Sequence, residues 1–133
     1  MYFPTPARAV FLILGLSLSV SSQAAYAYDC FAEDGVDLKA AVDTYDADPS
    51  AWSTTDGYIK YGPIEQWCTT FVTTMSELFQ NKRAFNANIT AWDTSSVTNM
   101  DKMFQIAWAF NQDLSAWDTS SVTTMNNMFH SSG

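Results

Sequence analysis

The sequence has few of the residues on which catalytic sites usually depend. Its 133 residues include one histidine, His130, and a lone histidine is more often a bystander than a general base. No serine lies in the G-x-S-x-G pattern of a nucleophile elbow. The acidic stretch "DTYDADPSAW", residues 43–52, lacks the glycine and the terminal glutamate of an EF-hand loop. We therefore expect no enzyme activity, no resident metal and no cofactor.

Basic residues are scarce as well. The chain has 6 Lys and Arg against 14 Asp and Glu, which gives a formal charge of −8. The basic residues are scattered, apart from the adjacent pair Lys82 and Arg83. Because binding to phosphate backbones or anionic lipid needs clustered positive charge, nucleic acid and an anionic membrane surface are improbable partners.

Long apolar runs are absent except for one near the N-terminus. The run "AVFLILGLSLSV", residues 9–20, follows Arg8 and is too short to span a bilayer comfortably. Ala25 and Ala27 form the A-x-A pattern of a cleavage site. We interpret residues 1–27 as a signal peptide, so the mature chain begins at Tyr28, has no stable membrane span, and is secreted or held at the cell surface. An uncleaved N-terminal anchor is the alternative.

Only two cysteines are present, Cys30 and Cys68, and both follow the predicted cleavage site. Their spacing excludes a C-x-x-C redox or zinc motif. In an oxidising compartment such a pair tends to form a disulfide, which is what we predict, with two free thiols as the alternative.

The sequence does contain an internal repeat. "AWDTSSVTNM", residues 91–100, recurs as "AWDTSSVTTM", residues 116–125, and 13 of 24 positions are identical when residues 85–108 are aligned with 110–133. A degenerate copy precedes them, so the repeat region 61–133 divides into units 61–84, 85–109 and 110–133, the last of them truncated on this interpretation. A period of 25 predicts a solenoid, because a unit this small buries its apolar face only against its neighbours.

Within each unit we predict one short extended rung and one short helix, which makes an α/β repeat solenoid of about three coils. Met100, Met103, Phe104 and Ala107 follow the i, i+3, i+4, i+7 spacing of one helix face. Each tryptophan lies in the preceding turn-rich segment, where an aligned column of buried rings is expected. The predicted repeat core is Trp67, Trp92, Trp117, Met75, Met100, Met125, Leu78, Met103, Met128, Phe79, Phe104 and Phe129.

The segment 28–60 is expected to cap the first coil. Leu38, Ala41, Val42 and Tyr45 again follow helical spacing, which predicts a helix near residues 37–46 with one apolar face.

The stretch "FNQDLSAWDTSSVTTMNNMF" resembles the BspA-like leucine-rich-repeat surface protein family, which includes the bacterial surface protein 26-residue repeat and mycoplasma-type lipoprotein repeats. This resemblance implies a secreted or surface solenoid that acts as a non-catalytic interaction or adhesion module. Its partner would be an extracellular protein or glycan, and an extracellular carbohydrate-binding module is the alternative function. Where family members usually have Asp after the tryptophan, the first unit has Cys68, so a bond to Cys30 would join the cap to the first coil.

A few residues have a possible role of their own. Asn88 begins an N-glycosylation sequon, Asn88-Ile89-Thr90. Trp108, Trp52 and Tyr58 either line a binding face or pack internally, and packing is the default for tryptophan.

The recurring acidic and hydroxyl residues have two interpretations. Asp93 and Asp118, one coil apart, are expected to bond turn amides, with a shared cation or a ladder that binds ice, glycan or calcium as the alternative. The last coil has no capping repeat after it. We therefore expect either that the sequence is a fragment of a longer array or that the open coil self-associates.

Overall fold

The structure is a computed structural model that describes residues 28–132. The predicted signal peptide, residues 1–27, lies outside this range. Two α-helices come first, α1 (Val36–Ala47) and α2 (Asp56–Tyr61), with single 3-10 turns at Trp52–Thr54 and Ile64–Gln66. None of the helices in the described part is long and apolar enough to cross a membrane.

Helix α1 lies against the first coil of the stack. Leu38, Ala41 and Val42 are buried on one face of it. The residue before the helix, Gly35, has a left-handed backbone with φ of 65°, and a Cβ there would lie 2.6 Å from the carbonyl oxygen of Thr74. A glycine therefore lets the start of α1 approach the backbone of the first coil.

The second half of the cap closes over the same end of the stack. Helix α2 begins after Thr55, whose hydroxyl accepts a hydrogen bond from the Tyr58 amide. Trp52 is buried and donates its indole N–H to the carbonyl of Gly62 at 3.0 Å. The rings of Trp52 and Trp67 lie 5.2 Å apart, so the cap and the first coil share one apolar core.

Three coils follow and stack in parallel with the predicted 25-residue offset. Thr74 pairs with Asn99, and Asn99 pairs with Thr124, each in a parallel bridge. The prediction of an α/β solenoid with extended rungs and helices is nevertheless wrong. Within residues 28–132 the strand pairing is confined to isolated bridges, and residues 67–132 contain no helix.

Left-handed residues prevent the predicted repeat helices from forming. In the first coil, Glu77 and Asn81 have φ values of 58° and 63°. Each of these residues ends a helical turn before a hydrogen bond from an amide to the carbonyl four residues earlier can form. The amides instead donate to the carbonyl three residues earlier, as the Leu78 amide does to the Met75 carbonyl at 3.3 Å. The pattern recurs in the later coils at Lys102, Ile106, Asn127 and Ser131.

The backbone amides of residues 75–81 donate hydrogen bonds in two directions. Alternate amides donate to the next coil, Met75 to the Asn99 carbonyl at 2.9 Å and Phe79 to the Met103 carbonyl at 2.9 Å. The amides between them donate back within their own coil, as Leu78 does. Because nearly every buried amide must find an acceptor, this alternation replaces both the helix and the strand ladder. The second coil repeats the inter-coil bonds to the third from Met100, Lys102, Phe104 and Ile106.

Phenylalanine rings stack along the axis of the coils. Phe79 lies 5.1 Å from Phe104, and Phe104 lies 5.4 Å from Phe129, between ring centroids. Trp67 and Trp92 also stack, at 5.7 Å. Identical side chains recur because each coil must present the same shape to the next.

Candidate functional site

One side of the stack carries a threonine at each coil. The Thr73 hydroxyl donates to the Glu33 carbonyl at 2.8 Å, Thr98 to the Thr73 carbonyl at 3.1 Å, and Thr123 to the Thr98 carbonyl at 3.0 Å. These hydroxyls therefore join successive coils. A second series, Thr69 and Thr94, donates in the opposite direction to the carbonyls of Asp93 and Asp118.

The recurring aspartates each close a turn. Asp93 accepts from the Ser95 hydroxyl at 2.6 Å and from the Ser95 amide at 3.0 Å. Asp118 accepts from the Ser120 amide at 2.8 Å. These bonds favour the ionised carboxylates, so the Ser95 and Ser120 contacts lower the pKa of Asp93 and of Asp118. Within the described residues, no cluster of three or more potential metal ligands occurs.

Hydrogen bonds also lower the pKa of two further aspartates. The Thr124 hydroxyl and the Asn126 amide, both in the third coil, bond Asp101 and lower its pKa. The Ser115 amide and hydroxyl lower the pKa of Asp113. Asp101 thus adds a carboxylate contact between the second and third coils.

These lowered pKa values predict a stability that falls in acid. A carboxyl whose folded pKa is depressed stabilises the fold above its unfolded pKa, about 3.9, and that contribution is lost as the pH falls through the folded pKa. Urea unfolding at pH 7 and at steps below pH 4 should show this loss. The triple change Asp93→Asn, Asp113→Asn and Asp118→Asn keeps an acceptor oxygen in each turn, so it should flatten the curve below pH 4. An unchanged slope in this variant would assign the acid sensitivity to other groups.

The third coil exposes side chains that are buried in the coils before it. Met75 and Met100 are buried, whereas Met125 is 42% exposed. Phe129 is 50% exposed, although its counterparts in the first and second coils are buried. The remaining predicted core residues, Trp67, Trp92, Trp117, Leu78, Met103, Met128, Phe79 and Phe104, are buried.

A second exposed feature is a pair of side chains on neighbouring coils. Trp108 is 54% exposed, and the guanidinium carbon of Arg83 lies 4.4 Å from the centroid of its ring system. Arg83 and Trp108 are 25 residues apart and so occupy equivalent positions in consecutive coils. The Ala109 amide donates to the Arg83 carbonyl at 3.0 Å, which fixes the two backbones together. We refer to these two side chains as the Arg83–Trp108 pair.

Comparison with known proteins identifies a family whose model matches the chain. The model of the family described as Mycoplasma protein of unknown function, DUF285, matches residues 45–133, more than half of the chain. The chain belongs to this family. The DUF285 match starts within α1 and covers all three coils. It is compatible with a surface repeat protein, and the DUF285 family is related to the BspA-like repeats that the sequence resembles. No curated protein and no solved structure matches the chain significantly.

The DUF285 region and the segment before it are joined by a covalent bond. Cys30 and Cys68 form the predicted disulfide, with their Cα atoms 4.5 Å apart. Cys30 precedes the matched region and Cys68 lies inside it. The bond therefore attaches the N-terminal segment to the first DUF285 coil.

The other residues singled out from the sequence lie apart from one another. Asn88 is exposed, and its side-chain oxygen accepts from the Thr90 amide at 3.1 Å. Tyr58 is partly buried against the core. His130 is exposed near the end of the described range, where its Nδ1 lies 3.1 Å from the Ser131 hydroxyl. These residues form no common site. Sequence reasoning missed Arg83, although the 25-residue period pairs it directly with Trp108.

Proposed function

We propose that this DUF285 protein is a secreted or cell-surface, non-catalytic interaction and adhesion module of the BspA-like type. The observation that carries the proposal is the exposed Arg83–Trp108 pair. Tryptophan and arginine are among the residues most enriched at the energetic centres of protein interfaces. A ring that the guanidinium already orders loses little conformational freedom when a ligand binds.

The exposure of Trp108 differs from that of the other large apolar side chains at the surface. Ile59 and Phe71 are also exposed. Single exposed apolar residues are common and need no functional explanation. Trp108, however, is held in place by a charged neighbour at the equivalent position of the preceding coil, so its position depends on the repeat itself.

Secretion is supported by the chemistry of the chain. The segment 1–27 has the charge, the apolar run and the small residues of a signal peptide. The Cys30–Cys68 disulfide fits an oxidising compartment. Asn88 lies on the surface, where an attached glycan would extend into solvent.

Adhesion of coated beads tests the proposed function. Beads carrying residues 28–133 should adhere to surfaces coated with extracellular matrix or with cell-surface protein extract. We expect Trp108→Ala to weaken this adhesion about 10- to 30-fold, as the loss of an interface hot spot does. Ile59→Ala, at a side chain 76% exposed, is the matched control and should have no effect. Equal adhesion by the wild type and Trp108→Ala would remove the pair as the contact site.

A carbohydrate-binding module is the second candidate, and the same exposed indole favours it because flat aromatic surfaces stack on sugar rings. Trp52 does not contribute to such a site, since it is buried and bonded to Gly62. Glycan arrays distinguish the two functions. Array binding that free sugar competes, and that Trp108→Ala abolishes, would favour carbohydrate over protein as the ligand.

A further inference from the structure

Arg83 differs from the other basic side chains in the described part of the molecule. The four lysines there form ion pairs with carboxylates at distances of 2.8 to 3.9 Å, and they are Lys39, Lys60, Lys82 and Lys102. Residues 28–132 contain all 14 acidic residues of the sequence, and none of them forms an ion pair with Arg83. The charge of Arg83 therefore has no counter-charge within this range.

The contact with Trp108 leaves Arg83 able to bind a second group. The guanidinium carbon lies 4.4 Å from the centroid of the indole, where the positive charge is attracted to the ring face. A guanidinium carries five N–H donors, stays protonated at any physiological pH, and can bind both oxygens of a carboxylate through the edge of its plane. Because the ring already restricts the side chain, pairing with a carboxylate costs less entropy than it does for an unrestrained arginine.

The surface next to the pair is apolar rather than polar. Ala84 and Ala109, which follow Arg83 and Trp108 in their coils, are both exposed. The residue one repeat after Trp108 is Gly133, which has no side chain. Methyl groups enlarge the apolar area beside the indole but offer no hydrogen bonds to the hydroxyl groups of a sugar. These neighbours therefore favour a protein surface over a sugar as the ligand.

The overall charge of the chain restricts the ligand further. With a formal charge of −8, the protein repels a long polyanion as a whole. A single carboxylate in contact with Arg83 is attracted at short range, whereas salt screens the more distant charges of the protein. One carboxylate beside an apolar side chain is thus a better match for this surface than a run of acidic groups.

We infer that the Arg83–Trp108 pair recognises an aspartate or glutamate of a partner protein. The carboxylate accepts hydrogen bonds from the Arg83 guanidinium, and an apolar side chain next to it packs on the indole and on the methyl groups of Ala84 and Ala109. This inference rests on the proposed function, because it specifies the partner chemistry of the same adhesion site.

Selection from a phage library of random linear peptides on the immobilised secreted chain tests this specificity. Peptides that bind the wild type should be enriched in Asp or Glu next to an apolar residue. Arg83→Gln should lose this enrichment, and Arg83→Glu should replace it with an enrichment in Lys and Arg. Lys102→Gln removes the same charge at a distance from the pair, so it is the matched control and should select the same peptides as the wild type.

A selected acidic peptide then allows a quantitative comparison. We expect the wild type to bind it about 5-fold more tightly than the same peptide with its acidic residue replaced by the corresponding amide. Arg83→Gln should bind the two peptides equally, and Trp108→Ala should bind both of them weakly. The melting temperature of each variant should stay near that of the wild type, because both side chains are exposed.

Three results would overturn the inference. One is that Arg83→Gln and the wild type prefer the acidic peptide to the same degree. Another is a selection that returns no peptide whose binding depends on Trp108. The third is Arg83-dependent binding that is confined to carboxylated sugars on a glycan array, because the ligand would then be a glycan.

The bead experiment separates this inference from the proposed function. Adhesion that Trp108→Ala weakens and Arg83→Gln leaves unchanged would overturn the carboxylate specificity alone. Adhesion that neither variant changes would overturn both proposals.

Discussion

Replacing Trp92 with alanine is expected to lower the free energy of unfolding by about 3 to 5 kcal/mol, the usual cost of deleting a buried aromatic side chain. Trp92 is 3% exposed and stacks on Trp67. Its indole N–H donates to the carbonyl of Ile64, in the preceding coil, at 2.8 Å. The substitution thus opens a cavity and also leaves a buried carbonyl without this donor. Urea unfolding followed by far-ultraviolet circular dichroism measures the change.

Two further variants identify the origin of this loss. Trp92→Phe keeps an aromatic ring but removes the donor, so it should cost less than the alanine change. Trp108→Ala removes an indole that is 54% exposed and should change stability by less than about 1 kcal/mol. A domain of this size has only about 5 to 15 kcal/mol of stability in total. A Trp92→Ala protein as stable as the wild type would contradict the stacked aromatic core.

The repeat and most of its buried residues were predictable from sequence because both depend on side-chain spacing. Met100, Met103, Phe104 and Ala107 are all buried, as the i, i+3, i+4, i+7 pattern indicates. The pattern specifies which side chains share a face but does not specify the backbone that places them there. A run of tight turns can place residues with this spacing on one face, just as a short helix does.

The left-handed turns of the coils are marked only weakly in the sequence. Left-handed backbone is usually marked by glycine, yet the six such positions in the coils carry Glu, Lys, Ile, Ser and two Asn. A left-handed conformation costs roughly 1 to 2 kcal/mol for a residue with a Cβ, and it is least expected at a β-branched residue such as Ile106. The amide of Ile106 donates to the His130 carbonyl at 3.1 Å. Contacts between coils therefore impose this conformation, and those contacts are not visible in one unit read alone.

The candidate surfaces were predictable only in part. Trp108 was named among the candidate binding residues from the sequence alone. Its partner Arg83 is found only when the 25-residue offset is applied to exposed positions as well as to core positions. Met125 and Phe129 share the core pattern of the earlier coils and are exposed nevertheless. Identical residues at equivalent positions differ in burial here, because burial in a solenoid depends on the neighbouring coil.

Breaking the Cys30–Cys68 disulfide is expected to cost about 4 kcal/mol of stability. The bond joins residues separated by 38 positions, and closing a loop of that length removes about this much conformational free energy from the unfolded chain. The measurement is urea unfolding with and without a thiol reductant. The double variant Cys30→Ala and Cys68→Ala is the control, since it should match the reduced protein and show no response to the reductant.

The loss should also be distributed unevenly along the chain. The segment next to Cys30 is bound to the first coil by the Phe31 amide, which donates to the Cys68 carbonyl at 3.0 Å, and by the Thr73 amide, which donates to the Glu33 carbonyl at 2.9 Å. Without the covalent bond the cap is held by noncovalent contacts, which include these hydrogen bonds, the buried face of α1 and Trp52, and the ion pairs of Lys82 with Asp43 and Asp46. We expect hydrogen exchange after reduction to rise first in α1 and in the first coil, and last around Phe104. Uniform acceleration would show that cap and coils unfold as one cooperative unit, in which case the disulfide stabilises the whole stack rather than its first junction.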